Sequence, residues 1–130
     1  MSFINEDTSN VPDLASLPEG EYEVRLLAAE VKNSKKGDPM IEAKLDVPSE
    51  ALSDDIYHYI MLPTSNDDEK RKIRKLQNLR DFKVAFNMPP TGQVDLEQFV
   101  GEKSWALLTE ETNDQTGKTN NRIKRFIVAR

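Results

Sequence analysis

The hydrophobic positions of this chain recur at two spacings, and the change between them divides it. From Gly20 onward the residues alternate, with Tyr22, Val24, Leu26 and Ala28 interleaved among Glu21, Glu23, Arg25 and Leu27. A period of two predicts a strand with one buried face. The phase slips at Ala28-Ala29 and turns Ala29 and Val31 inward, which predicts a bulge or sharp bend inside a long first strand. Residues 40–47 form a second strand with Ile41, Ala43, Leu45 and Val47 on its apolar face. Residues 54–62 form a third, β-branched and aromatic and closed by Pro63. Its alternation sends Ile56, His58, Ile60 and Leu62 to the core and Tyr57, Tyr59 and Met61 outward.

The spacing then lengthens. Ile73, Leu76, Leu79, Phe82 and Phe86 recur three and four residues apart, predicting a helix that Pro89-Pro90 stops. Residues 64–69 supply its start, with Ser65 and Asp68, or Asn66 and Glu69, as capping pairs. A short turn over 94–99 ends at Gly101. Residues 103–109 form a fourth strand, with Trp105 and Leu107 on one face and Ala106 and Leu108 on the other. A long polar hairpin over 110–121 surrounds Gly117, and residues 122–128 form the fifth strand. Residues 1–17 are polar and acidic, carry Pro12, and read as a flexible leader to a domain spanning 18–130.

Three strands, a helix and two strands, with the first strand long and interrupted, is the layout of a five-stranded oligonucleotide/oligosaccharide-binding (OB) barrel. The predicted class is therefore all-β, a β-barrel with one helix in the order β-β-β-α-β-β. Such a barrel binds its ligand on strands two and three, between the loop joining strands one and two and the loop joining strands four and five. Here those loops are the lysine turn at 32–38 and the hairpin at 110–121. The alternative is an open α+β sheet with the helix on one face.

A chain of 130 residues suits one domain, and 37% hydrophobic with 32% charged content gives a soluble product with a modest core. No apolar run reaches the length of a membrane span, and the first residues lack a signal peptide's basic start and apolar centre. Absence of cysteine excludes disulfides and thiolate chemistry and fits a reducing cytoplasm. With His58 as the lone histidine the usual zinc sites cannot be built, and no cofactor is expected. The net charge of −5 argues at first against nucleic acid. Residues 1–31, however, hold seven acids and one base, so they carry −6 and the remainder of the chain sums to +1.

Single-strand binding needs cations that track phosphates and ring faces that stack on bases. The candidate cations are Lys32, Lys35, Lys36, Lys44, Lys118, Arg122, Lys124 and Arg125. The candidate platforms are Tyr57 and Tyr59, with Trp105 a third, although a tryptophan on a strand more often belongs to the core. The basic helix face, including Lys70, Arg71, Lys72 and Arg74, reads as a solvated surface at the barrel's end. Enzymatic patterns fail. Glu42 and Lys44 share a face as in a magnesium-dependent nuclease, but Asp38 lies too near to come from a separate strand end. Gly117-Lys118-Thr119 lacks the earlier glycine of a phosphate-binding loop, whose position Thr112 occupies. The expectation is a non-enzymatic single-stranded DNA-binding protein; the alternative is a protein–protein adaptor on the same barrel that does not bind nucleic acid.

Two stretches carry a family likeness. Gly20-Glu21-Tyr22-Glu23-Val24, followed by Val31 through the Ser34-Lys35-Lys36-Gly37 turn to Met40-Ile41, resembles the opening of phage-encoded single-stranded DNA-binding proteins with this barrel. Phe99-Val100-Gly101-Glu102-Lys103 before an aliphatic strand, and Arg122-Ile123 after a glycine hairpin, resemble their later part. The resemblance covers residues 18–128. It implies a viral protein that coats exposed single strands during phage DNA replication or recombination, in the cytoplasm of an infected host cell. It also implies contact with replication or recombination proteins and allows an oligomer. Many such proteins end in an acidic tail that recruits partners. This sequence ends Val128-Ala129-Arg130, a departure that leaves that role to the acidic leader.

Overall fold

The two spacings become five strands and one helix: β1 (Gly20–Asn33), β2 (Pro39–Asp46), β3 (Ile56–Met61), α1 (Glu69–Ala85), β4 (Lys103–Thr112) and β5 (Thr119–Phe126), with a 3-10 turn over Leu96–Phe99. This computed structural model describes residues 1–127. All the strand pairs are antiparallel, in one open sheet of order β3-β2-β1-β4-β5. Among the described residues no helix is long and apolar enough to cross a membrane.

β1 serves two neighbours in turn. Residues 20–25 pair with β4, residues 25–33 pair with β2, and the register shifts between Leu26 and Ala28. The extra residue bends the strand and changes its inward set, so Val24 and Leu26 are buried before the bulge and Ala29 after it. The predicted slip is thus present, one position early. Val31, expected inward, is instead exposed at the rim of the clefts beside the 3-10 turn, because the end of the β1–β2 hairpin runs past the covered part of the sheet.

Ile41, Ala43 and Leu45 of β2, Ile56 and Ile60 of β3, and Ala106 and Leu108 of β4 share one buried cluster. α1 covers it with Phe82, followed by Phe86. The rings of Phe82 and Phe86 lie 6.2 and 5.4 Å from that of Phe126 on β5, and His58 on β3 meets Phe126 edge-on at 5.4 Å. β3 and β5 therefore meet through side chains, while among the described residues no backbone ladder joins them.

The helix start differs from the predicted capping pairs. Asp68 is itself the cap and accepts from the Arg71 amide at 2.7 Å, which satisfies one of the unpaired amides of the first turn. Asp67 accepts from the Thr64 amide at 2.8 Å and from Lys75 Nζ at 2.9 Å, and these bonds hold its carboxyl below the usual range. Burial in α1 is confined to its C-terminal half, at Phe82 and Ala85. Ile73 and Leu76, predicted to share the apolar stripe, are 47% and 44% exposed.

The polar stretch predicted as a long loop is mostly ladder. Glu110, Glu111 and Thr112 pair with Asn121, Asn120 and Thr119, leaving residues 113–118 as the turn. The Thr112 and Thr119 hydroxyls hydrogen-bond at 2.8 Å, and Gly117 takes the positive φ of 72° that the turn requires. Val128, assigned from sequence to the fifth strand, lies outside the described residues. The leader is tied down at its end. Ala15 bridges to Ser53, and the buried Asn121 carboxamide accepts from the Leu17 amide at 2.8 Å and donates to its carbonyl at 2.9 Å.

Replacing Phe82 by Ala should lower unfolding free energy in urea by about 3–5 kcal/mol, the usual cost of deleting a buried ring. A loss below about 1 kcal/mol would show that the ring does not carry the core.

Candidate nucleic-acid interface

Because Ile56 and Ile60 are driven into the core, the pleat turns Tyr57 and Tyr59 to the outer face, where they are 42% and 46% exposed. Across the ladder Tyr57 faces Lys44, and Tyr59 faces Glu42. The two predicted loops lie toward opposite ends of β3. The Leu62 amide donates to the Pro39 carbonyl at 3.1 Å, which ties the end of β3 to the turn bearing Lys35 and Lys36. Lys118, on the β4–β5 turn, contacts Asp54 at 3.3 Å just before β3. The tyrosines stand between these two lobes.

A second register shift shapes the other side. Leu107 pairs with Arg125 and Leu108 with Ile123, so Lys124 is the extra residue in β5. The bulge buries Ile123 and Phe126 while both intervening cations, Lys124 and Arg125, face solvent. They line a cavity of about 230 Å3 together with His58, Tyr59, Asn78 and Asp81. The groove beside Tyr59 thus takes its positive charge from β5. Ile123-Lys124-Arg125-Phe126, two charges between two apolar residues, is the break in alternation that marks this bulge in the sequence. Nothing comparable marks Asn78 and Asp81, which reach the groove from α1.

The candidate cations separate into two groups. Lys32 sits within β1 and contacts Glu42 at 2.9 Å and Glu30 at 3.1 Å, hydrogen bonds that raise its pKa. Lys44 pairs with Asp55 at 3.4 Å, Lys118 with Asp54, and Arg122 with Glu111 at 3.2 Å. Lys35, Lys36, Lys124 and Arg125 form no ion pair among the described residues. Trp105 is 38% exposed on β4, across from Glu23 and at least one strand removed from the tyrosines. Among the described residues no three His, Asp or Glu side chains converge to hold a metal ion.

A family model described as protein of unknown function (DUF669) matches residues 4–129. The chain belongs to the DUF669 family. No curated protein matches it.

In this DUF669 protein His58 contributes a neutral ring. Burial against Phe126 lowers its pKa from 6.5 to about 4. The unfolded chain therefore takes up this proton first as pH falls. The stability that the neutral ring supports is complete above about pH 6.5 and is lost progressively toward pH 4, by about 3 kcal/mol in all. Unfolding free energy measured from pH 7 to 4.5 should fall less steeply in His58→Gln than in the parent chain. Parallel curves would place the titration elsewhere.

Proposed function

We propose that this DUF669 protein is a sequence-tolerant, non-enzymatic single-stranded DNA-binding protein that needs no cofactor. The observation that carries this reading is the pair of outward tyrosines on β3 beside the Lys124–Arg125 bulge of β5. Two rings one pleat apart offer faces for two successive bases, and stacking contributes about 1–3 kcal/mol per base whatever its identity. The unpaired cations of β5 and of the β1–β2 turn supply the phosphate contacts, and release of condensed counterions drives association. The exposed ion pairs of Lys44 and Lys118 can exchange a carboxylate for a phosphate at little cost, since pairs in solvent contribute little to stability.

The architecture of this proposal is an OB barrel closed along β3 and β5. The double use of β1 and the meeting of His58 with Phe126 support it. The proposed setting is the cytoplasm of an infected cell, where the protein coats strands exposed in phage DNA replication or recombination and meets the proteins of those processes.

Fluorescence anisotropy with a labelled thymidine oligonucleotide tests the reading. Tight binding is expected at low salt, weakening as salt rises. Tyr57→Ala with Tyr59→Ala should cost about 2–6 kcal/mol of binding. Replacing Lys35 and Lys36 by Glu should flatten the salt dependence by about 1 in logarithmic slope, as fewer phosphates are contacted. No binding at low salt would overturn the proposal in favour of a protein–protein adaptor, the reading that the net charge of −5 favours.

A further inference from the structure

The N-terminal arm and one face of α1 are both bare, and their chemistries match. Every residue from 1 to 14 is exposed, and the hydrogen bonds found there, Asn5 to Glu6 and Ser9 to Asp7, stay within the arm. The arm carries Glu6, Asp7 and Asp13 and no base, yet it also exposes Phe3, Ile4, Val11 and Leu14. A segment built only to be solvated lacks such apolar residues. On α1, Ile73, Leu76, Arg80 and Val84 recur three and four residues apart and so fall in one line. Ile73, Leu76 and Val84 are 47%, 44% and 52% exposed, although α1 already buries Phe82 on its sheet-facing side. A cavity of about 240 Å3 opens beside this line, between Leu76, Leu79, Met88 and Pro90. Lys70, Lys72 and Lys83 rim it, and among the described residues none of them forms an ion pair.

We propose that the arm of one copy docks on this face of α1 in a second copy. The arm's apolar side chains would seat on the Ile73–Leu76–Val84 line, with its carboxylates against the lysine rim. Charge complementarity selects the arm as occupant, and the position of its root selects a second copy. Ala15 is fixed beside Ser53, before the start of β3, whereas the loop to α1 leaves β3 after Met61. The apolar line also faces away from the sheet. Reciprocal exchange makes the contact twice about one twofold axis, so the assembly closes as a dimer. This inference does not depend on DNA binding.

Light scattering of the full chain from roughly 5 to 200 µM should show a concentration-dependent rise to twice the monomer mass. Two variants, Phe3→Ser with Ile4→Ser and Ile73→Ser with Leu76→Ser, should each weaken dimerisation at least tenfold while keeping the monomer fold, because all four side chains are exposed. The chain has no cysteine, so Ile4→Cys and Leu76→Cys chains can be mixed and oxidised. Covalent heterodimers in excess of either homodimer are expected. A monomer at every concentration, a dimer unaffected by both variants, or a chain carrying both cysteines that closes on itself at dimer-forming concentration would each overturn the proposal.

Discussion

Phe126 holds the arrangement together. Its ring touches His58 of β3 and lies within 6.2 Å of Phe82 and Phe86 at the C-terminal half of α1, so one side chain connects both edges of the sheet with the helix. Backbone pairing leaves β3 and β5 as the sheet's two edges, and the ring cluster is what draws them together. Aromatic contacts of this kind add about 0.5–1.5 kcal/mol per pair beyond the area they bury. The bulge before Phe126 follows from the same demand. Ile123 and Phe126 must both point inward across an even spacing that a regular strand cannot satisfy, and the extra residue releases Lys124 and Arg125 together toward Tyr59.

The outer face that results is only locally positive. Glu30 and Glu42 lie directly opposite each other on β1 and β2, and Lys32 neutralises the pair. Asp54 and Asp55 engage Lys118 and Lys44 at the start of β3. What remains uncommitted is the lysine turn at one end and the β5 bulge beside the tyrosines. A ligand that carries both negative charge and flat apolar faces suits that distribution better than a purely anionic one would. The neutral state of His58 fits the same picture, since a buried cation beside Phe126 would weaken the cluster that positions β5.

Elements whose pattern is enforced by burial were readable from the chain. The alternation of β3 placed both tyrosines outward because Ile56 and Ile60 admit no other pleat, and β2 follows the same rule through Ile41, Ala43 and Leu45. The spacing from Leu79 to Phe86 marked the covering half of α1, but the same spacing through Ile73 and Leu76 does not tell whether a sheet lies beneath it. Features that depend on register were hidden. The partners of Lys32, Lys44 and Lys118 come from other strands and loops, so eight cations of equal standing in sequence divide into paired and unpaired only once the strands are aligned. The β4–β5 ladder through Thr112 and Thr119 is polar on both faces and offers no apolar alternation to announce it.

The central claim is that the Phe126 cluster brings the β3 tyrosines and the β5 cations onto one ligand-binding surface. Chemical-shift mapping by NMR during titration with a single-stranded thymidine oligonucleotide tests it most directly. The account predicts that the largest changes fall on the rings of Tyr57 and Tyr59 and on the amides of Lys124 and Arg125, with a smaller change at His58. Changes confined to the Val31–Leu96 cleft or to the Ile73–Val84 face of α1, with both tyrosine rings unmoved, would contradict it.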